Sequence, residues 1–263
     1  MSVIEAIILG VIQGITEFLP VSSSGHLELA QAIFGNQNNT DGNLLFTIVV
    51  HGATALATLV VFRADVWSII RGLFQFTNNE SAQFSLRIVL SMMPAALIGY
   101  FFEDIISSQF FGNTVLVGLM LWITAGLLYI ADKPTENRAN VSLTNAWWIG
   151  IAQAFAILPG VSRSGATIAI SLLLGVARDR AARFSFLMVV PLIFGSMAKK
   201  ILDGGLEQEV LSLSPILAGF MAAFISGYLA CRWMIALVKR SQLRYFAYYC
   251  ALVGTISLVT SLV

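Results

Sequence analysis

Charge is what this sequence has least of. Only 11% of its 263 residues are Asp, Glu, Lys or Arg, against about 25% in soluble domains. Apolar residues make up 57%, and mean hydropathy is +0.83. A water-soluble domain of this length cannot bury that much apolar surface, so the chain is expected to be an integral membrane protein. Cysteine is nearly absent too. Cys231 and Cys250 fit no CxxC or metal-ligand spacing and read as packing residues. There is no P-loop, no GxGxxG and no HExxH, which removes the nucleotide-binding and zincin readings that rest on them. The opening residues have no basic n-region and Glu5 interrupts them, so no signal peptide is expected. A formal net charge of +1 gives no handle for nucleic acid.

Long apolar runs are what the chain does have. Six are long enough to cross a bilayer, which takes roughly 20 residues: 44–62, 85–102, 113–131, 184–201, 213–238 and 244–262. Four more, 2–18, 23–34, 142–157 and 164–177, are apolar but short. The first short pair is broken at Leu19-Pro20-Val21-Ser22-Ser23-Ser24-Gly25. The second is broken at Leu158-Pro159-Gly160-Val161-Ser162-Arg163-Ser164-Gly165. Pro and Gly stop a helix and Ser caps the next one, so each pair reads as a hairpin that enters the membrane and returns. Irregular backbone at that depth is tolerated only inside protein or beside a wet cavity.

The chain repeats itself. At an ungapped offset of 140, Gly10 matches Gly150 and Gln13 matches Gln153. Val21, Ser22, Ser24 and Gly25 match Val161, Ser162, Ser164 and Gly165, and Phe46, Val49 and Val50 match Phe186, Val189 and Val190. The expected fold is therefore an all-α polytopic membrane protein: one membrane domain over 1–263, made of two interlocked repeats (about 1–131 and 142–263). Each half has one re-entrant hairpin and three crossings. Three is odd, so the halves are expected to be inverted, an arrangement that puts sites near the midplane between repeats.

The loops predict sidedness. One side receives Arg63, Arg71, Arg87, Lys133, Arg138, Arg178, Arg180, Arg183, Arg232, Lys239, Arg240 and Arg244. The side of the N-terminus receives Lys199 and Lys200 with Glu103, Asp104, Asp203, Glu207 and Glu209. The positive-inside rule then puts both termini outside, and the two hairpin tips enter from opposite faces toward each other.

Polar groups at membrane depth are costly, and they mark function by default. The first hairpin carries Gln13, Glu17, Ser22, Ser23, Ser24 and His26; the second carries Gln153, Ser162, Arg163, Ser164 and Thr167. Gln13 and Glu17 are four apart and share a helix face, as do Ser23 and His26, three apart. Each tip is also a helix N-terminus, where backbone N–H groups and the dipole favour an anion. Arg163 at one tip suits phosphate oxygens. A carboxylate beside a phosphate cradle implies a divalent cation or proton handling, so Glu17 suggests Mg²⁺ or Ca²⁺. The plainer readings are serine caps, a structural Glu17–Arg163 ion pair and a packing histidine. Joint placement at two matched tips argues against all three. His51 reads as bonding a neighbouring helix, Glu28 as one turn from the site, and Trp147 and Trp148 as interface anchors.

These residues resemble a known family. Gln13-Gly14-Ile15-Thr16-Glu17-Phe18-Leu19-Pro20-Val21-Ser22-Ser23-Ser24-Gly25-His26 resembles the first signature of the BacA-type undecaprenyl-diphosphate phosphatases: Glu/Gln-xxx-Glu, then a Ser-rich Gly-His. Pro159-Gly160-Val161-Ser162-Arg163-Ser164-Gly165-Ala166-Thr167 resembles the second, PGxSRSxxT. The resemblance covers the whole chain. It implies a hydrolase acting on a phosphorus-containing anhydride: undecaprenyl diphosphate gives undecaprenyl phosphate and inorganic phosphate. That recycles the carrier lipid of peptidoglycan synthesis and confers bacitracin resistance. It further implies a bacterial cytoplasmic membrane, with the site open to the outer face. Candidate catalytic residues are Glu17, Ser23, His26 and Arg163. Candidate substrate contacts are Gln13, Ser22, Ser24, Gly25, Gly160, Ser162, Arg163, Ser164 and Thr167, and candidate cation ligands are Glu17 and Gln13. Ser23 and His26 both remain open as the nucleophile, the other assisting. The expected partners are the polyprenyl pyrophosphate lipid and the bilayer, with a homodimer left open. A flippase or transporter on the same inverted repeat is the rival reading. The acid-phosphatase-like lipid phosphatases are excluded, because the positions matching their second histidine and aspartate hold Ala169 and Leu173.

Overall fold

The computed structural model describes residues 1–33, 40–77, 79–110, 113–132, 139–202 and 213–261. Lys133, Arg138, Asp203, Glu207 and Glu209, used above for sidedness, lie outside them, as do the side chains of Glu28, Glu103, Asp104 and Lys200. The described residues form α1 (Val3–Phe18), α2 (Ser23–Ile33), α3 (Thr40–Val61), α4 (Arg63–Leu73), α5 (Glu80–Gln109), α6 (Thr114–Ala131), α7 (Leu143–Phe155), α8 (Arg163–Leu173), α9 (Arg178–Leu202), α10 (Leu213–Lys239) and α11 (Leu243–Thr260). Among the described residues the sole β pairing is an isolated bridge between Ala139 and Val176.

Helix starts follow local chemistry. Ser2 and Glu5 form a capping box on α1, so the acid that interrupts the apolar opening satisfies backbone there. Asn79, Asn113, Ser142 and Ser162 cap α5, α6, α7 and α8 through their side chains. Among the described residues five helices are long and apolar enough to cross a membrane: α5, α6, α9, α10 and α11. The bent pair of α3 and α4 makes a sixth. The two short pairs expected as hairpins are α1–α2 and α7–α8, broken where the sequence predicted.

One element departs from expectation. The stretch after residue 62, read as a loop, is the helix α4, turned 80° from α3. It has 11 residues and carries Arg63, Asp65 and Arg71, too short and too charged to register as a span. Its Trp67, Ile70 and Leu73 are exposed while Asp65 holds Arg183 of α9 at 2.8 Å. Such an amphipathic helix suits the plane of a membrane interface.

The packing exchanges partners between the two halves of the chain. α1 packs chiefly on α10, α7 on α5, and α6 on α11. The matched glycines explain how backbones come so close. A Cβ on Gly10 would lie 2.4 Å from the Gly219 carbonyl oxygen, and one on Gly150 would lie 2.5 Å from that of Ser91. Small residues at membrane helix contacts allow this approach. The main core gathers Phe18, Phe62, Phe184 and Phe186 with aliphatics from α6, α8, α9 and α10. Phe18 meets Phe186 edge-on at 5.6 Å.

Candidate active site

Both breaks end in a serine that caps the returning helix. The Ser22 Oγ accepts from the Gly25 N–H at 3.4 Å, and the Ser162 Oγ accepts from the Gly165 N–H at 3.1 Å. One first-turn N–H of each helix is thus taken by its own cap, not offered to a ligand. The tips touch. The Ser164 hydroxyl donates to the Leu19 carbonyl at 3.2 Å, and a Cβ on Gly25 would lie 3.5 Å from the Gly160 Cα. Gly160 has φ +94°, and a side chain there would strike the Val117 carbonyl at 2.5 Å. Ser22 has φ +71°, which is strained for a residue with a Cβ.

The centre of the site is the Glu17 carboxylate, which is buried. Its Oε1 accepts from the Arg163 guanidinium across the two tips. Its Oε2 accepts from the Gln13 Nε2 at 3.0 Å and from the Ser23 Oγ at 2.8 Å. The ion pair weighed as a plain alternative is therefore present, and it lies within a wider polar cluster. A small pocket, with room for about one water molecule, borders the pair, lined by both residues together with Thr54 and Thr58 of α3 and Ser185 and Phe186 of α9.

Three of the expected site residues have partners within the protein. Ser23 shares its proton with Glu17, not with His26. The His26 Nδ1 lies 2.8 Å from the Ser22 carbonyl oxygen, and Nε2 lies 2.8 Å from the Tyr249 hydroxyl of α11. The three-residue spacing puts His26 on the face of Ser23, and its ring nitrogens find their partners in the Ser22 carbonyl and in α11. Thr167, expected at the substrate, donates to the Arg163 carbonyl at 2.8 Å and shares a short hydrogen bond with Ser185, so its hydroxyl braces α8.

Other residues at the site were not among those the sequence placed there. The Thr124 hydroxyl of α6 donates to the Gly160 carbonyl at 3.3 Å and accepts from the Ser162 N–H at 3.0 Å, holding the second tip. The Cys250 thiol lies 3.4 Å from the Pro20 carbonyl and steadies the first. His51 presents Nε2 toward the Glu17 Oε2 at 3.9 Å, so its neighbouring helix is α1 at the site itself. Thr124, Cys250, His51 and Tyr249 come from distant stretches, and no local spacing links them to the hairpins. The one available signal was a polar group at membrane depth.

Gln13 and Glu17 were expected to hold a cation, and one observation bears on that. The Gln13 Oε1 is buried with no hydrogen-bond partner, on the residue that already touches Glu17. An orphaned amide oxygen beside a carboxylate and a hydroxyl is a hard oxygen donor set of the kind Mg²⁺ and Ca²⁺ take, with phosphate oxygens completing it. The residues fit such an ion.

Comparison with known proteins agrees in extent. The family described as "Bacitracin resistance protein BacA" matches residues 6–256. A protein of Christiangramia forsetii named undecaprenyl-diphosphatase is 54% identical over 259 residues, covering 98% of each chain. Proteins of the same name from Bacteroides thetaiotaomicron and Methanobrevibacter smithii are 46% and 36% identical. They cover 100% of this chain and 100% and 99% of their own. A match through both hairpins and nearly every crossing leaves one assignment: the chain belongs to the BacA family.

Proposed function

We propose that the protein is a membrane lipid pyrophosphatase that hydrolyses undecaprenyl diphosphate to undecaprenyl phosphate and inorganic phosphate. That activity recycles the carrier lipid of cell-wall synthesis and underlies bacitracin resistance. The observation that carries the mechanism is the Glu17 carboxylate, which accepts from the Ser23 hydroxyl on one oxygen and from Arg163 on the other. A hydroxyl donating to a buried carboxylate at 2.8 Å is an activated nucleophile with its base.

Arg163 and the two helix N-termini draw the pyrophosphate in. The Ser23 Oγ attacks the terminal phosphorus as its proton passes to Glu17. The bridging P–O bond breaks, and its electrons leave with undecaprenyl phosphate. Water then hydrolyses the phosphoserine and releases inorganic phosphate. Ser23 is favoured over His26 as nucleophile because both His26 ring nitrogens already have partners. Gln13 and Glu17 would hold Mg²⁺ or Ca²⁺. Such an ion supplies positive charge against the pyrophosphate and polarises a phosphoryl oxygen.

The fold reading that goes with this is an inverted pair of interlocked repeats, about 1–131 and 142–263. It is supported by the exchanged packing of α1 on α10 and α7 on α5. The protein lies in a cytoplasmic membrane with both termini and the site opening outside. A tag at either end that is protease-sensitive only in inside-out vesicles overturns that orientation. All the residues named for the chemistry come from one chain, so a homodimer is not needed for it. The decisive assay is phosphate release from a polyprenyl pyrophosphate by detergent-purified protein, with and without chelator, against Ser23→Ala. Release by the wild type and none by the variant is expected. Wild-type protein that releases nothing returns the flippase reading, and full activity in chelator removes the ion.

A further inference from the structure

We propose that Thr124, in the middle of α6, is a positioning residue for the reaction: its hydroxyl fixes the backbone that places the Arg163 guanidinium against Glu17. The inference rests on the pyrophosphatase reading and names what holds its arginine in place.

From Val115 to Leu128 the helix α6 carries a single hydroxyl, that of Thr124. It lies about 15 Å along the helix from Thr114, at about 1.5 Å per residue, halfway through a hydrocarbon core of about 30 Å. It is buried, at 1% exposure. A threonine at such depth ordinarily bonds back to the carbonyl four residues earlier, and Thr124 does reach the Met120 oxygen at 3.1 Å. It also leaves its own helix. Its oxygen accepts from the Ser162 N–H at 3.0 Å, and its hydrogen is shared with the Gly160 carbonyl at 3.3 Å. Those two groups belong to the peptide units on either side of Val161, so one hydroxyl clamps both. Arg163 is the residue that follows, the first of α8.

The second tip lies hard against α6. A Cβ on Gly160 would meet the Val117 carbonyl at 2.5 Å and the Met120 Cβ at 2.8 Å. Val117, Leu121 and Thr124 recur at helical spacing on this buried face. The helix is in turn pinned to α11. At one end Asp132 accepts from the Leu243 and Arg244 N–H groups, each at 3.1 Å. At the other the Ser257 hydroxyl donates to the Thr114 carbonyl at 2.8 Å. Between them a Cβ on Gly118 would lie 2.9 Å from the Gly254 oxygen, and one on Gly254 2.8 Å from the Gly118 oxygen. The Cys250 thiol of α11 meets the Pro20 carbonyl of the first tip at 3.4 Å. One helix pair therefore holds both tips, α6 the second and α11 the first.

Thr124 does not border the pocket beside Glu17 and Arg163, so it acts through the arginine. Phosphate recognition by a guanidinium depends on orientation as well as charge. Without the hydroxyl, the buried Ser162 N–H and Gly160 carbonyl lose a partner, and the backbone shifts to find others. Arg163 shifts with them. Glu17 and Ser23 stand on the other hairpin and keep their own hydrogen bond. The loss therefore falls on the arginine's share of the chemistry and leaves the proposed nucleophile and base in place.

Phosphate release from a polyprenyl pyrophosphate is measured for detergent-purified wild type, Thr124→Val, Thr124→Ser, Arg163→Lys and the Thr124→Val/Arg163→Lys double variant. A wild type that releases nothing overturns the pyrophosphatase reading and the positioning role with it. With an active wild type, the variants test the positioning role alone. Thr124→Val keeps the shape and removes the hydroxyl, and it should lose about 30-fold in kcat/KM, with KM raised as well as kcat lowered. Thr124→Ser restores the hydroxyl and should stay within threefold of the wild type. In the Arg163→Lys background, Thr124→Val should cost no more than about twofold further, because the group it positions is already gone. A merely structural threonine would instead multiply the two losses. Near-normal kcat/KM in Thr124→Val, a Thr124→Ser protein as weak as Thr124→Val, or multiplied losses in the double variant overturns the proposal. Thermal unfolding is followed for every variant. Where Thr124→Val does not fold, Thr124→Cys takes its place, since a thiol is a weak acceptor. It should lose about fivefold alone and nothing further beside Arg163→Lys, and multiplied losses overturn the proposal there too.

Discussion

In the first hairpin Ser22 and Ser24 stand 3.3 Å apart, and so do Ser162 and Ser164 in the second. Each leading serine caps its helix through the glycine three residues on, and each matched glutamine, Gln13 and Gln153, leaves its amide oxygen buried without a partner. Around this common frame the chemistry diverges. At the same offset Glu17 corresponds to Ile157, Ser23 to Arg163 and His26 to Ala166. Ser23 and Arg163 occupy equivalent positions on facing tips, and both bond the same carboxylate. On the proposed mechanism one tip supplies nucleophile and base, the other the cation for phosphate. The two matched tips thus differ in three side chains and in the backbone at their leading serine.

Glu17→Gln should break that asymmetry most. It keeps shape and removes the proton acceptor, so phosphate release should fall about 1,000-fold. Ile157→Val at the matched position should stay within twofold. Comparable losses in both variants would mean that the second tip shares the proton chemistry. Titrating cation in Glu17→Gln adds a further reading. A raised half-saturating concentration supports direct ligation, and an unchanged one with collapsed kcat supports a base alone.

Arg163→Lys should come next, losing about 100-fold, because one ammonium cannot reproduce two parallel N–H donors. The loss should appear in KM as well as kcat. A near-normal kcat/KM would take the second tip out of phosphate binding.

The backbone offers a smaller contrast. Ser22 has a left-handed φ of +71°, whereas Ser162 sits at −73°. Glycine relieves strain of about 1 kcal/mol at the first and none at the second. Both variants lose a cap, at a few tenths of a kcal/mol each when glycine replaces serine. Ser162→Gly should therefore unfold about 2 °C below Ser22→Gly in detergent. The reverse order would mean that the Ser22 hydroxyl outweighs its strain.

The smallest difference is expected between Gln13→Ala and Gln153→Ala. The former should raise the half-saturating Mg²⁺ or Ca²⁺ concentration about threefold, since an amide oxygen is a weak ligand. The latter should leave it unchanged, because the Gln153 Nε2 reaches only the Ser91 carbonyl, at 3.5 Å. Equal shifts would separate the ion from Gln13.

Much of this was legible along the chain. The crossings α5, α6, α9, α10 and α11 announce themselves because hydrocarbon demands unbroken apolar length. The breaks at Pro20 and Pro159-Gly160 announce themselves because those residues cannot continue a helix. Helix α4 escaped because Arg63, Asp65 and Arg71 make it look like a loop, and only its 80° turn along an interface suits them.

The site divides along the same line. Composition, run length and two matched signatures determined by themselves a membrane protein with polar tips carrying Gln13, Glu17, Ser23, His26 and Arg163. These are local facts, fixed by what hydrocarbon tolerates and by which residues end or cap a helix. Which tip group meets which was decided only in three dimensions. Ser23 turned to Glu17, His26 to Tyr249, and Thr167 to Ser185. Tyr249 lies 223 residues from His26, and Arg163 lies 146 from Glu17. No helical period reaches that far. Those pairings exist because α1 packs on α10 and α11 closes over the first tip, so that these polar groups meet the partners that packing brings within reach.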